Sequence, residues 1–247
     1  MGDVIWAGSF SGKVQTENFI RLSSNGCLDV FITKLDNHWN TVWADCFGGP
    51  ANDYLNAIAV NHTGDIYLTG TYRGEIIKEE SKINSLDFSS DIFLAKYNTT
   101  GRFQFIESFG SAGPDFSKNL LANAGQSIFI SGNFSAPTKK RLISPTGNNT
   151  KEDFFLSKWY DCSSSPKIQL PNDTVICGNE YTLMADSSFA EYYWNGEKGG
   201  NTLTINSSGL YQLVVKDLYG CVSQDSLRVD FIDLQEVEYK NTSDCIW

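Results

Sequence analysis

The chain is 247 residues long and sets 19 Lys+Arg against 29 Asp+Glu, a net charge of −10. So acidic a protein lacks the basic footprint that nucleic acid and anionic membranes select, and no run of about 18 apolar residues is present to span a bilayer. Charged residues at 19%, aromatics at 13% and 21 glycines exclude disorder and predict an all-β chain of short strands joined by Gly turns.

The opening residues, Met1 to Trp6, show neither the basic nor the apolar region of a signal peptide. From Asp3 onward the chain repeats. Asp3-Val-Ile-Trp-Ala-Gly8-Ser-Phe10 returns as Asp65-Ile-Tyr-Leu-Thr-Gly70-Thr-Tyr72 and again as Ser127-Ile-Phe-Ile-Ser-Gly132-Asn-Phe134. Asp29-Val-Phe-Ile-Thr-Lys34 returns as Asp91 to Lys96 and as Asp153 to Lys158, each time 62 residues on. Phe47-Gly48 and Asp53 keep the same period, reappearing as Phe109-Gly110 and Asp115. A fixed period of this length marks a solenoid, a propeller or an array.

Within the second repeat, strands are predicted at about 91–97, 103–108, 118–123 and 127–134, separated by Gly- and Asn-containing turns. Ile92-Phe93-Leu94 and Ile128-Phe129-Ile130 are apolar without alternation, so both faces of these strands are covered. Repeated four-stranded sheets sandwiched between copies of themselves are propeller blades. The expectation is therefore an incomplete propeller over 1–161, with two complete blades, 29–72 and 91–134, and a lone strand on either side. The 73–90 and 135–152 segments are expected to run from the outer strand of one blade to the inner strand of the next. Because known propellers close with roughly four to eight blades, the chain is expected to be the C-terminal part of a larger one. Its end faces would then pack against the missing blades or against copies of itself.

The Asp-Ile-Phe-Leu-Ala-Lys-Tyr-Asn, Phe-Gly and Gly-Asp-Ile-Tyr-Leu-Thr-Gly-Thr-Tyr pattern resembles the β-propeller repeat of secreted Bacteroidetes proteins, a seven-bladed type. The resemblance covers 1–161 and implies an extracellular or outer-surface location.

After it, 162–167 (Cys162-Ser-Ser-Ser-Pro166 and Lys167) reads as a linker. Residues 168–232 then hold six or seven short strands: Ile168–Leu170, Tyr181–Met184, Tyr192–Trp194, Leu203–Ile205, Leu210–Val215 and Ser226–Phe231. That density makes a compact Ig-like β-sandwich with Trp194 as core aromatic and Tyr211 as a corner tyrosine. The run from Leu170 through Cys177, Trp194 and Tyr211 to Cys221 resembles the Ig-like or PKD-like domains of type IX-secreted surface proteins. That resemblance implies a Cys177–Cys221 disulfide, whose closure would contribute about 4 kcal/mol to so small a core. Residues 233–247 read as an extension or the start of a further segment.

Six cysteines at 27, 46, 162, 177, 221 and 245, with no Cys-x-x-Cys spacing and only His38 and His62 besides, point to disulfides in an oxidising compartment rather than to zinc. The sequence pairs none of Cys27, Cys46, Cys162 and Cys245. His38 and His62 fall in turns. No nucleophile elbow, zincin, P-loop or dinucleotide motif occurs, and no catalytic residue, metal or cofactor is expected. The recurring Asp29, Asp91 and Asp153 with Lys34, Lys96 and Lys158 read as parts of each blade rather than as a ligand site, because chemistry needs one asymmetric constellation. Trp39 and Trp43 read as packing between blades in preference to stacking on sugars. The functional expectation is a secreted or cell-surface non-catalytic binding, adhesion or scaffold protein with an unknown protein or glycan ligand. The alternative is a polysaccharide- or peptide-acting hydrolase with its active site at the propeller mouth.

Overall fold

The computed structural model describes residues 2–18, 20–123, 127–135, 153–162, 165 and 167–232. Most of the 135–152 connection, part of the linker, and 233–247 with Cys245 lie outside the described residues. The chain divides into two compact units, Met1–Trp159 and Tyr160–Trp247. Among the described residues both are built of strands, with one short 3-10 turn at Leu86–Phe88 and no α-helix.

The first unit contains β1 (Val4–Phe10), β2 (Lys13–Gln15), β3 (Arg21–Ser23), β4 (Asp29–Leu35), β5 (Thr41–Phe47), β6 (Tyr54–Val60), β7 (Ile66–Arg73), β8 (Glu75–Lys78), β9 (Ser81–Asn84), β10 (Ser90–Tyr97), β11 (Phe103–Phe109), β12 (Phe116–Ala122), β13 (Ser127–Phe134) and β14 (Asp153–Tyr160). They form three sheets in the orders β1-β4-β5, β11-β10-β7-β6 and β12-β13-β14, with β2-β3 and β8-β9 as hairpins. The strands of the three sheets stand near where the sequence predicts them, but the β2-β3 and β8-β9 hairpins are not predicted and the grouping differs. The complete four-stranded sheet spans 54–109, not 91–134 or 29–72.

The reason is the pairing of β10 with β7. It runs without a break from Ser90↔Arg73 to Tyr97↔Ile66, so the 73–90 segment returns the chain to its own sheet instead of delivering it to the next. The crossing between sheets occurs at the Phe-Gly turn. There the Asp53 amide bonds to the Leu28 carbonyl, and one period later the Asp115 amide bonds to Ser90.

Hairpins within the sheets close on Asx turns. Asn61 Oδ1 accepts the amides of Thr63 and Asp65, and Asn98 Oδ1 accepts those of Thr100 and Arg102. Asp36 does the same for His38 and Asn40, so His38 is an exposed turn residue. Side-chain oxygens that mimic a backbone turn explain why Asn or Asp recurs there.

Each sheet has a front, carrying Phe31, Phe93 or Phe155, and a rear offset by one residue along each strand. The rear of the first sheet (Val30, Ile32, Phe47, Trp43) packs on the front of the second (Leu68, Phe93, Ala95, Tyr97). The rear of the second (Tyr67, Ile92, Leu94, Phe105) packs on the front of the third (Ile128, Ile130, Phe155, Trp159). Contacts repeat as the sequence does. Trp43 stacks on Tyr97 with centroids 6.5 Å apart, and their counterparts Phe105 and Trp159 meet at 5.2 Å. Continuous apolar runs are what two covered faces require.

The Phe-Gly motif has a steric cause. A Cβ on Gly48 would overlap the Asp29 carboxyl group, and one on Gly110 would overlap that of Asp91. Gly110→Ala is expected to destabilise the first unit by about 2 kcal/mol, the usual scale of overpacking, here against the buried Asp91 carboxyl. Chemical denaturation of that variant checks this; a change within error would show that the turn can yield.

The second unit adds β15 (Thr174–Cys177), β16 (Tyr181–Met184), β17 (Glu191–Trp194), β18 (Glu197–Gly199), β19 (Thr202–Ile205), β20 (Gly209–Lys216) and β21 (Val222–Ile232). A five-stranded sheet, β15-β21-β20-β17-β18, faces the β16-β19 pair across a core that includes Leu183, Trp194, Ile205, Leu213 and Val229. Tyr211 donates its hydroxyl to the Ser207 carbonyl at 2.7 Å, as a corner tyrosine does. Ile168–Leu170 is not a strand. The Ile168 and Leu170 amides bond instead to the side chains of Ser223 and Asp225, at 2.9 and 2.7 Å, beside the start of β21.

The disulfide expectation is corrected. Cys221 is bonded to Cys162, with Cα atoms 5.4 Å apart, and Cys177 is disulfide-bonded but not to Cys221. Strand geometry forbids the expected pair. Cys177 pairs with Ile232 at the far end of β21, whereas Cys221 precedes Val222 at its start. At about 3.3 Å per residue the length of β21 separates them by roughly 30 Å, several times the reach of a disulfide. Cys162 enters at the right end.

Candidate functional site

Two arrangements hold the chemistry-bearing residues of the first unit. The first is a pair of carboxylates between successive sheets, present twice. Asp29, Asp53, Asp91 and Asp115 are all buried, none more than 1% exposed. Asp29 accepts the Asn25 amide at 2.8 Å, and Asp53 accepts the Gly49 amide at 2.6 Å. Asp91 accepts from the Leu86 amide and the Ser89 hydroxyl, each at 3.0 Å. Asp115 holds the Ser111 amide, the Ser111 hydroxyl at 2.9 Å and the Ser135 amide at 3.1 Å.

Burial raises the pKa of all four. It pushes Asp53 to about 7, helped by the charge of Asp29, and Asp91 to about 6, helped by that of Asp115. The second pair is better supplied, because Ser111 stands where the first copy has Gly49. Asp29 and Asp53 each retain one buried oxygen without a hydrogen-bond partner. These carboxyls fasten backbone turns. The recurring lysines are likewise engaged. Lys34 pairs with Asp3 at 2.8 Å and Lys96 with Asp65 at 2.9 Å, the same bridge one period apart.

The second arrangement is an apolar cleft of about 430 Å³ on the front of the first sheet. Trp6, Phe10 and Phe31 floor it, with both neighbours edge-on to Phe31 at 5.5 and 6.1 Å. Leu22 of β3 and Leu35 of β4 contribute further apolar wall. The rim is tied by Glu17, which accepts the Thr41 amide at 2.7 Å and is thereby held below the usual carboxylate range. Trp39 projects into the cleft. It is 70% exposed and adopts φ = 69°, a left-handed conformation unfavourable for a bulky residue. One period on, the residue is Gly101, against which the ring of Trp43 lies.

Trp43 therefore packs between sheets as expected, whereas Trp39 does not. The sequence expectation groups the two together; the signal that separates them is the Gly101 counterpart, which marks position 39 as a left-handed turn. Cys27 is exposed with a free thiol, and the Cys46 thiol is free and pushed up by burial. Among the described residues no group of three or more His, Cys, Asp or Glu is placed to hold a metal ion. None of their helices is long and apolar enough to cross a membrane.

No protein-family model matches the sequence, and no curated protein does. Among the solved structures, several are similar at low level. One is SGBP-B of the Bacteroides ovatus mixed-linkage glucan utilization locus, in complex with a mixed-linkage heptasaccharide, at 11% identity and a TM-score of 0.20 over 96% of this chain. Another is the eight N-terminal Ig domains of the Down Syndrome Cell Adhesion Molecule, at 10% identity and a TM-score of 0.22 over 93% of this chain. The chain spans 66% and 50% of their lengths. TM-scores this low define no common fold.

Proposed function

We propose that this chain is a secreted or cell-surface, non-catalytic binding, adhesion or scaffold protein. In this reading, the stacked sheets are consecutive blades of a β-propeller of the Bacteroidetes type, and the second unit is an Ig-like spacer. Export follows a type IX-like route. The observation that carries the reading is the use to which the recurring polar residues are put. Asp29, Asp53, Asp91 and Asp115 accept backbone amides of nearby turns, and Lys34 and Lys96 pair with Asp3 and Asp65, so these recurring groups fasten the fold. One exposed feature is the aromatic cleft, a surface suited to contact rather than to bond cleavage. The disulfide at Cys162–Cys221 agrees with an oxidising, extracellular setting.

A glycan array and an extracellular-protein array, run beside a panel of glycosidase and peptidase substrates, test this. Binding without turnover is the expected outcome. Turnover abolished by a substitution in this chain would replace the reading with the hydrolase alternative.

A further inference from the structure

We propose that the aromatic cleft on the front of the first sheet is the receptor for the rear of the third sheet of a second copy of this chain, giving head-to-tail association. The two surfaces are the unmatched halves of a contact the chain already makes twice. Inside the first unit, rear residues Val30 and Ile32 dock on the front that carries Phe93, and their counterparts Ile92 and Leu94 dock on the front that carries Phe155. One period further, the rear pair is Phe154 and Leu156. These lie 59% and 51% exposed, and Leu121, on β12 across the same sheet, is 60% exposed. The counterpart front, with Phe31, Phe10 and Trp6, is the open cleft. The equivalents of Trp6, Leu68 and Ile130, are 0% and 3% exposed, whereas Trp6 itself is 59% exposed.

One detail selects a second copy over a generic apolar partner. In both internal contacts the outer strand of the rear sheet supplies an aromatic, Trp43 from β5 or Phe105 from β11, to cover the end of the next front. The third sheet, β12-β13-β14, has no described strand in that place. The front of the first sheet compensates, because Trp39 stands at the position of Gly101, the residue Trp43 covers. The ring that the docking partner lacks is thus already in the receptor. It is kept there despite a left-handed backbone that Gly would accept more readily. The contact is heterologous, so copies add in one direction until a ring closes or a filament grows.

Sedimentation of the intact chain over a concentration series tests this, with near-ultraviolet circular dichroism to confirm that each variant is folded. The wild type is expected to associate reversibly. Leu156→Glu, Phe154→Lys and Trp6→Glu, all at exposed positions, are each expected to weaken association at least tenfold. Mixing Leu156→Glu with Trp6→Glu restores one good interface and should yield a one-to-one dimer that grows no further, since the intact rear of one variant meets the intact front of the other. Trp39→Gly is expected to weaken association while leaving thermal stability unchanged or raised, which a merely structural tryptophan would not do. A wild type that stays monomeric to about 100 μM would overturn the proposal, as would association indifferent to Leu156→Glu and Phe154→Lys. A mixed pair that fails to dimerise would overturn it too.

Discussion

Cys221→Ala is expected to lower the stability of the second unit by about 4 kcal/mol and to leave the first unit unchanged. The bridge from Cys162 to Cys221 closes a sequence separation of 59 residues. The loop-entropy account gives a closure of that length about 4 kcal/mol at room temperature. The second unit has no large reserve to absorb this, since a domain of this size buries a modest fraction of its surface. At about 4–8 °C per kcal/mol for so small a domain, the unfolding midpoint should fall by roughly 15–30 °C. Differential scanning calorimetry resolves the claim: the transition of the second unit moves and that of the first stays. Cys162→Ala must give the same shift, because either substitution opens the same loop. Cys27→Ala, at an exposed free thiol in the other unit, should move neither transition. A shift of only a few degrees for Cys221→Ala would mean that β21 and its neighbours carry the unit without the bridge.

Part of the fold was legible in the sequence. Strand positions were, because period and turn chemistry are local. Asn61 and Asn98 announce their hairpins, and Ile92-Phe93-Leu94 announces two covered faces. Strand partners were not, since the β7–β10 pairing spans a 16-residue connection, 74–89, and sequence does not state whether such a segment returns or departs. The same non-locality misplaced the disulfide. Cys177 and Cys221 bracket the sandwich in sequence, yet β15 lies parallel to β21 and puts them at opposite ends of one strand. The roles of Asp29, Asp91 and Gly48 were half legible. Recurrence marked them as structural, but only the geometry shows that the glycine exists to admit the carboxylate. The cleft was invisible, because Trp39 is conspicuous only against its counterpart Gly101.

The first unit is expected to be more stable at pH 5 than at pH 8, with Asp53 as the main source. Burial raises its pKa from 3.8 to about 7, and the Asp29 charge adds to the rise against the Gly49 amide, which opposes it. Below pH 3.8 the carboxyl is protonated in both folded and unfolded chains and contributes no pH dependence. Between about 4 and 7 the folded chain keeps a proton that the unfolded chain has released, so stability falls as pH rises through this window. Above 7 the full cost of an ionised buried carboxylate is present. Asp91, at about 6, works in the same direction over a narrower range. Holding a proton one pH unit further than the unfolded chain does is worth about 1.4 kcal/mol, which sets a ceiling of about 4 kcal/mol for Asp53 alone. A measured loss of about 2 kcal/mol between pH 5 and pH 8 is expected. Asp53→Asn keeps the oxygen that accepts from Gly49 and replaces the orphaned oxygen with a donor that never ionises. The variant should therefore match the wild type near pH 5, exceed it at pH 8, and show a shallower slope between them. Asp115→Asn should gain less, because the Ser111 hydroxyl and the Ser135 amide already serve that carboxylate. Thermal unfolding at half-unit pH intervals distinguishes these outcomes. Parallel profiles for wild type and Asp53→Asn would show that Asp53 stays ionised in the folded chain, held by partners beyond the Gly49 amide.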